Sequence, residues 1–168
     1  SLEMTATIHG FEPLYIQRIA QLTNKSNQFN LTTLRCSEDD IRAMAADADA
    51  LCLCGKLVDK FGDNGIVTVV AGKRQGDLLD LTLWLMSCRV LKRGMEDAMM
   101  DTLMAQAAAA GVKTVVGHYY PTAKNAMVRD FYAQFGFAKT AEDAEGNTEW
   151  RLEVSGYEPK HPHMKIER

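Results

Sequence analysis

The stretch that decides the fold is residues 78–104, which read LLDLTLWLMSCRVLKRGMEDAMMDTLM. Its first half, residues 78–90, is mostly apolar and predicts a long, buried strand. Residues 95–110 are rich in methionine and alanine and predict a helix, and Gly111 is a suitable residue to end it. The chain therefore passes from a central strand into a helix through a short basic turn that contains Gly94.

The same patterns predict secondary structure on both sides of this stretch. Strands are predicted where apolar residues alternate or run together between turn residues, at 2–9, 50–58, 66–73, 112–119, 137–142 and 148–154. Helices are predicted where apolar residues recur every three or four positions, at 12–22, after the capping-box pair Ser37 and Asp40, and at 125–135. The Asn64-Gly65 pair predicts the turn of a hairpin.

The resulting order of elements is β-α-α-β-β-β-α-β-α-β-β. It combines antiparallel meanders with one βαβ crossover, which predicts an α/β (α+β) domain with a mixed sheet. We expect this domain to span residues 1–156. Residues 157–168 form a charged tail in which His161 and His163 flank a proline, and we expect this end of the chain to be disordered.

Composition limits the kinds of partner. The chain has 168 residues, of which 46% are hydrophobic, and a net charge of −3, which is typical of an ordinary globular domain. This charge gives no electrostatic footprint for nucleic acid or an anionic membrane. No apolar run approaches the roughly 20 residues of a membrane span, and no signal peptide is recognisable. We therefore expect a cytoplasmic protein without nucleic-acid or membrane partners.

The cysteines do not predict a metal site. They are Cys36, Cys52, Cys54 and Cys88. Cys52 and Cys54 lie two residues apart in a predicted strand, and the other two lack the spacing of metal ligands. We expect reduced thiols and no bound metal.

The basic turn between the long strand and its helix, residues 87–97, has two interpretations. A glycine and two cations at a helix N-terminus form an anion site, because free backbone N–H groups point outward and glycine lets a phosphate approach closely. The alternative is an ordinary strand-to-helix turn with charged surface side chains. The residues alone favour neither interpretation.

A second group of candidates surrounds the last predicted helix. Asn125 opens this helix, Tyr132 follows seven residues later, and Gly136-Phe137 ends it. A buried tyrosine needs a partner for its hydroxyl and can serve as a proton donor, or it is part of the core. Asn125 is alternatively a helix cap. His118, at the end of the preceding strand, has the pKa range of a general base, or it is only a hydrogen-bonded histidine.

The order of elements, the basic glycine turn and the Asn–Tyr–Gly-Phe spacing together resemble the GNAT acyltransferase superfamily over nearly the whole chain. The resemblance implies that the turn binds the pyrophosphate of acyl-coenzyme A, that Asn125 contacts the pantetheine arm and that Tyr132 protonates the leaving thiolate. The implied cofactor-binding residues of the turn are Cys88, Arg89, Val90, Lys92, Arg93, Gly94, Met95 and Glu96.

The turn departs from the superfamily motif, which is Gln or Arg, two residues, Gly, one residue, then Gly or Ala. If Arg89 is the first position, Gly94 is the last glycine and Lys92 replaces the middle one. If the motif is shifted by two residues, Gly94 is the middle glycine and Glu96 replaces the last. One glycine is missing in either alignment, and the carboxylate of Glu96 would repel a pyrophosphate.

A narrower resemblance, to the C-terminal domain of FkbH-like proteins, rests on residues 18–33, 61–65, 86–91 and 121–132. Those proteins join a HAD-type phosphatase-like domain to a GNAT-like domain and make a glyceryl thioester on an acyl carrier protein, on the route to methoxymalonyl units for polyketides. The resemblance implies transfer involving a coenzyme A, acetyl-coenzyme A or phosphopantetheine thioester, an acyl carrier protein as partner, and a HAD-type domain in the same or another chain. The alternative is a non-catalytic module that docks the carrier protein.

The same resemblance singles out the amide-rich segment Asn27, Gln28, Phe29 and Asn30, between the first two helices. It implies the acceptor side of the GNAT fold, so we expect Gln28 and Asn30 to face a small polyol or a pantetheine amide, with Phe29 anchoring the loop. The alternative is that these amides cap helices and satisfy loop backbone. Cys88 similarly has two interpretations: it lines the space through which a thioester passes, or it is a small core residue.

Overall fold

The structure is a computed structural model that describes residues 3–168. Its strands are β1 (Thr5–His9), β2 (Ala50–Asp59), β3 (Gly62–Gln75), β4 (Leu78–Met86), β5 (Thr114–Tyr119), β6 (Ala138–Glu142), β7 (Thr148–Glu153) and β8 (Lys165–Glu167). They form one mixed sheet in the order β6-β7-β5-β4-β3-β2-β1-β8. The predicted mixed sheet is confirmed, although Leu2, at the start of the first alternating pattern, lies outside the described residues.

Three α-helices accompany the sheet: α1 (Ile16–Lys25), α2 (Glu38–Ala46) and α3 (Met95–Ala109). The predicted capping box begins α2, because the Ser37 side chain accepts a hydrogen bond from the Asp40 amide (3.0 Å) and the Asp40 carboxylate accepts one from the Ser37 amide (2.8 Å). Short 3-10 helices lie at Pro13–Tyr15, Cys88–Val90, Ala126–Val128, Tyr132–Phe135 and Val154–Gly156. Within residues 3–168, no helix combines the length and the apolar character needed to cross a membrane.

The helices bury the two faces of the sheet separately. On one face, α1 and α2 contribute Ile19, Leu22 and Ile41 to a core that the central strands complete. On the other face, the core combines the methionines of α3 with the aromatic residues of 126–137. Burial of both faces explains why residues 66–72 of β3 and 83–86 of β4 are buried without alternation.

β4 and β5 pair only at their beginnings. Their parallel pairing joins residues 78–80 of β4 to residues 114–116 of β5. Within residues 3–168, the later residues of these two strands do not pair with each other. The sheet therefore opens between the two strands toward the ends at Met86 and Tyr119. This opening lies at the same end of the sheet as the turn that leads into α3.

A segment of the chain itself, residues 29–31, fills part of this opening. The amide of Leu31 donates to the carbonyl of Trp84, and the amide of Met86 donates to the carbonyl of Phe29, both at 3.0 Å. On the other side, the amide of Tyr120 donates to the carbonyl of Leu31 at 2.9 Å. Residues 29–31 thus satisfy backbone groups that the divergence of β4 and β5 leaves without a strand partner.

The helix predicted at 125–135 is not an α-helix. Its backbone hydrogen bonds join residues three apart, as in the bonds from the Val128 amide to the Asn125 carbonyl and from the Gly136 amide to the Ala133 carbonyl. In this tighter winding, residues three apart lie in one row. Val128 and Phe131 form one row and Tyr132 and Phe135 another, and all four are buried. Packing of both rows in the core explains the departure from the α-helix.

The hairpin between β2 and β3 turns at Lys60-Phe61 and not at the predicted Asn64-Gly65. The Asp59 carboxylate accepts a hydrogen bond from the Phe61 amide (2.8 Å), which fixes the earlier turn. Gly65 has a φ of 68° within β3, where the β2–β3 register is irregular. The Asn-Gly pair therefore forms a bulge in a strand instead of a turn.

The expectation of disorder at the end of the chain is wrong. β8 pairs in parallel with β1. Before it, Asp101 of α3 accepts hydrogen bonds from the Tyr157 hydroxyl (2.5 Å) and from the amides of Lys160 (2.8 Å) and His161 (2.9 Å). Burial, with this carboxylate, raises the pKa of Tyr157. The tail is held along α3 by these bonds, which composition alone does not reveal.

Candidate functional site

A cavity of about 730 Å³ lies at the end of the sheet where β4 ends. Its lining residues are Arg18, Leu22, Lys25, Ser26, Asn27, Gln28, Met86, Ser87, Cys88, Arg89 and Lys124. We call it the basic cavity, because four of these residues are cations and none is a carboxylate. It brings together four predicted site residues, Asn27, Gln28, Cys88 and Arg89, from the loop after α1 and the turn after β4.

The cations of the basic cavity have no carboxylate partners among residues 3–168. Arg18 donates to the Gln21 side chain (2.7 Å), and Arg89 lies 3.4 Å from the Ser87 hydroxyl and from the Asn64 carbonyl. Burial, and then the charge of Arg89, lowers the pKa of Arg18. Like charges that face one space repel each other, so an anion bound between them would stabilise the protein.

The turn after β4 contains two residues in the left-handed conformation. They are Lys92, with a φ of 60°, and Gly94, with a φ of 88°. With Arg89 in the first motif position, these two residues are the middle and last glycine positions. The backbone therefore favours that alignment over the shifted one, and Lys92 takes a conformation that is strained for a residue with a side chain.

Several predicted residues of the turn do not face the basic cavity. Val90 and Met95 are fully buried in the core. Arg93 donates to the buried carboxylate of Asp59 at 2.7 Å. Packing and an ion pair already occupy these three side chains, and the pyrophosphate role of the turn stays a prediction.

The N-terminus of α3 already carries an internal anion. Glu96 lies in the first turn of α3 and is half-buried. Burial raises the pKa of Glu96, although nearby backbone amides act in the opposite direction. The tail also lies close by, since a Cβ on Gly94 would meet Met164 at 3.1 Å and Pro162 at 3.2 Å. These contacts leave little room for a pyrophosphate there.

The first two amides of the predicted acceptor segment lie at the basic cavity. The Asn27 side-chain oxygen accepts a hydrogen bond from Arg35 (2.6 Å), and that of Gln28 accepts one from the Cys88 thiol (3.2 Å). Neither side-chain NH₂ group has a partner in residues 3–168. Both are therefore available to donate to a ligand in the cavity.

The last two residues of that segment are structural. Phe29 is buried in the core, where its ring meets that of Phe131 at 5.4 Å between centroids. Asn30 is fully buried, and its side chain donates to the Ser26 carbonyl (3.1 Å) and accepts from the Thr33 amide (2.9 Å). The expectation that Asn30 faces a ligand is corrected, because its amide satisfies the backbone of its own loop.

Asn125 holds the loops at this end of the sheet together. Its Nδ2 donates to the carbonyls of Asn30 (2.9 Å) and Tyr120 (3.0 Å). Its Oδ1 accepts from the Tyr119 hydroxyl (3.2 Å) and the Thr122 amide (2.8 Å). Both donors and both acceptor positions of the amide are thus used within the chain, so a contact to pantetheine requires one of these bonds to open.

Tyr132 lies in the core on the α3 side of the sheet. It is buried, and its ring packs so closely on Gly117 of β5 that a Cβ there would lie 2.4 Å from the ring. Its hydroxyl makes no hydrogen bond with the described residues. Burial, with a smaller effect of Asp80, raises its pKa, so the phenol stays protonated and is a weaker acid than an exposed tyrosine.

His118 follows Gly117 in β5, so its side chain lies on the opposite face of the sheet from Tyr132. Its Nε2 lies 2.5 Å from an oxygen of Asp80, which is the partner in an ion pair when His118 is protonated. With Glu149 it lines a separate cavity of about 250 Å³. The structure therefore does not bring the two predicted catalytic residues together, and neither lines the basic cavity.

Sequence reasoning did not single out Arg18, Lys25 and Lys124 as site residues. Arg18, Leu22 and Lys25 are spaced at i, i+4 and i+7, so they lie on one face of α1, and this spacing could have indicated a shared lining. Asp80 was also missed, although an acidic residue inside a buried strand is a recognisable signal. The described residues contain no group of three or more His, Cys, Asp and Glu residues suited to a metal ion.

Solved structures with a similar fold include acetyltransferases, among them members of the GNAT family. A putative GNAT acetyltransferase from Desulfovibrio desulfuricans is similar with a TM-score of 0.70 and 13% identity, over 89% of this chain and 99% of that one. The ribosomal-protein-S18-alanine N-acetyltransferase from Escherichia coli is similar with a TM-score of 0.66 and 14% identity, over 89% of this chain and 94% of that one. A spermidine N-acetyltransferase from Vibrio cholerae, in complex with coenzyme A and spermine, is similar with a TM-score of 0.65 and 10% identity, over 89% of this chain and 96% of that one.

These similarities show that the chain has the GNAT fold, which confirms the predicted fold class. At such low identity they show the fold alone. No protein-family model matches the chain, and no curated protein matches it.

Proposed function

We propose that this chain is an acyltransferase domain that binds a pantetheine thioester, of coenzyme A or of an acyl carrier protein, at the basic cavity. The observation that carries the proposal is the convergence of three loops of a GNAT fold on an acid-free, four-cation cavity beside the opening between β4 and β5. Its volume of about 730 Å³ is within the usual range for small-ligand sites. Its cations suit a phosphate, and its free amide donors suit a pantetheine carbonyl.

The FkbH-like resemblance refines this proposal to a glyceryl or methoxymalonyl-type thioester on an acyl carrier protein, with a HAD-type domain as partner. Support comes from the origin of the lining residues. All of them lie in three of the stretches that carry this resemblance, residues 18–33, 86–91 and 121–132. The resemblance is therefore concentrated around one cavity, although its stretches are far apart in the sequence.

Transfer from a thioester needs a proton for the leaving thiolate. Tyr132 is the proposed donor, because its hydroxyl makes no hydrogen bond with residues 3–168. Burial raises its pKa and so weakens it as an acid, which means that donation requires the hydroxyl to become better solvated when the site opens. Tyr132 is buried, and residues 29–31 fill part of the opening between β4 and β5, so on this proposal the thiolate enters through that opening. Catalysis on this proposal therefore includes a movement of that segment, while Asn125 would exchange one of its internal bonds for the pantetheine arm. His118 is the proposed base on the acceptor side.

The second candidate function is a non-catalytic module that docks an acyl carrier protein. The observation that favours it is the bonding of residues 29–31 to Trp84 and Met86, which occupies the edge of β4 that faces the opening. A docking module would use the basic cavity for phosphopantetheine without any need for Tyr132 or His118.

The experiment that separates these functions titrates the chain with acetyl-coenzyme A and with acylated carrier protein, in the presence of a small polyol as acyl acceptor, while release of free thiol is followed. Enzyme-dependent thiol release that falls in Arg89→Ala, but not in Arg42→Ala, supports acyl transfer. Arg42 is the matched control because it is exposed and paired with Glu38 and Asp39 on α2. Carrier binding without thiol release supports docking, and the absence of binding by both ligands contradicts both functions.

A further inference from the structure

We infer that the phosphate of the ligand is held by Arg18, Lys25, Arg89 and Lys124 in the basic cavity, and not by the N-terminus of α3. This inference rests on the proposed function and assigns the phosphate subsite within it. Three of the four residues lie outside the turn that joins β4 to α3. The ligand chemistry is a phosphate ester on a pantetheine arm, whether that arm belongs to coenzyme A or to a carrier protein.

The first observation is that the Glu96 carboxylate and part of the C-terminal tail already lie at the N-terminus of α3. The carboxylate of Glu96 is half-buried in the first turn of α3, at the end of the helix whose amides a pyrophosphate would use. Pro162 and Met164 lie against Gly94, where a bound phosphate would have to approach the backbone. A second anion placed there would repel Glu96 and displace the tail.

The second observation concerns the cations of the turn itself. Arg93 is committed to the buried carboxylate of Asp59 at 2.7 Å. Lys92 is exposed but does not line the basic cavity. Arg89 alone among the three lines it. The turn therefore contributes to the basic cavity one guanidinium that has no carboxylate partner among residues 3–168.

The third observation is the balance of charge in the basic cavity. Four cations line it without a carboxylate, and they come from α1, from the turn after β4 and from the loop after β5. The partly buried guanidinium of Arg18 has a lowered pKa because of burial and the nearby charge of Arg89. Two arginines from separate elements that face each other without a carboxylate form a suitable fork for a phosphate. Ser26 and Ser87 add hydroxyl donors to the same lining.

The test compares 4′-phosphopantetheine with pantetheine, two probes that differ only in the phosphate. Calorimetric titration of the full chain gives the ratio of the two affinities, which isolates the phosphate contribution. We expect Arg18→Gln and Lys124→Gln each to lower this ratio about tenfold, as for the loss of a hydrogen bond to a charged group. Arg42→Gln, the paired surface arginine, should leave it unchanged, and so should Glu96→Gln. Titration of coenzyme A and of holo carrier protein with the same variants then identifies which source of the phosphate ester the cavity prefers.

The outcomes separate this inference from the proposed function. A phosphate contribution that persists in Arg18→Gln and Lys124→Gln, but rises about tenfold or more in Glu96→Gln, overturns the inference and places the phosphate at α3. The proposed function would survive that result. If neither probe binds at millimolar concentration, both the proposed function and this inference are overturned. Denaturant unfolding of each variant shows whether its fold is intact, and a variant that loses its fold would lose affinity for both probes and not for 4′-phosphopantetheine alone.

Discussion

Replacement of Asn125 by alanine tests how the loops around the opening are held. The amide makes four hydrogen bonds within the chain, and two of their partners, the Asn30 carbonyl and the Tyr119 hydroxyl, belong to buried residues. Each buried group left unpaired costs about 1 to 3 kcal/mol. We therefore expect Asn125→Ala to lower the free energy of unfolding by about 2 to 5 kcal/mol, or Tm by about 10 °C.

Urea unfolding of the wild type and the variant measures this loss. Asn147→Ala is the matched control, because its side chain makes one exposed hydrogen bond, to Asp143, and should change stability by less than about 1 kcal/mol. Hydrogen exchange locates the effect, since the Leu31 amide should lose more protection than the Val70 amide in the central strands. A loss below about 0.5 kcal/mol, or equal loss of protection at both amides, would refute this role of Asn125.

Three further perturbations test separate parts of the structure. Lys92→Gly should stabilise the protein by about 0.5 to 1 kcal/mol in urea unfolding, because glycine relieves the left-handed strain, and an equal gain in Lys92→Ala would contradict this cause. Tyr132→Phe should change stability by less than about 1 kcal/mol and slow thioester transfer about 100-fold; an unchanged rate under conditions where chemistry limits turnover would leave Tyr132 a core residue. The Phe61 amide, more than Arg93, lowers the pKa of Asp59, so its stabilisation is present above the ordinary aspartate pKa and is lost as pH falls through the lowered value. Asp59→Asn should then flatten the decline of stability in acid, and identical pH profiles would exclude this linkage.

The strands and the first three helices could be predicted because their signals are local. Alternation and apolar runs identified β2, β4 and β7 to within a residue or two at most boundaries, apart from the end of β4. The strand predicted to continue to residue 90 ends at Met86, because Cys88–Val90 winds into a 3-10 turn. Val90 is buried in the core, which suits an apolar residue. An apolar residue does not by itself distinguish a strand from a buried turn.

The features that depend on tertiary contact could not be predicted. Residues 29–31 carry no strand pattern, and their place between β4 and β5 depends on backbone groups of Trp84, Met86 and Tyr120 that the sheet leaves open. The tail is polar and charged, as disordered ends are, but α3 places Asp101 where its carboxylate accepts hydrogen bonds from the tail.

The candidate site was predicted in part for the same reason. The turn after β4 and the amides of Asn27 and Gln28 were identified, because glycine, cations and amides are unusual in those positions. The contribution of Lys124 was not, since its side chain reaches the basic cavity only through the packing of the loop after β5. Tyr132 and Asn125 show the converse, because a pattern can identify a residue without revealing that burial or internal hydrogen bonds already occupy it.

The most direct test of the central claim is the rate at which Cys88 is alkylated in the presence and absence of ligand. Cys88 lines the basic cavity and is exposed, whereas Cys36 and Cys54 are buried and Cys52 is half-buried. Burial raises the pKa of Cys52 to about 11 and that of Cys54 to about 12, so iodoacetamide should label Cys88 selectively near neutral pH. With 4′-phosphopantetheine at 100 times its dissociation constant, as measured by calorimetry, we predict labelling slowed by up to about 100-fold. Unchanged labelling of Cys88 while the ligand is bound would contradict the claim that the basic cavity is the thioester site.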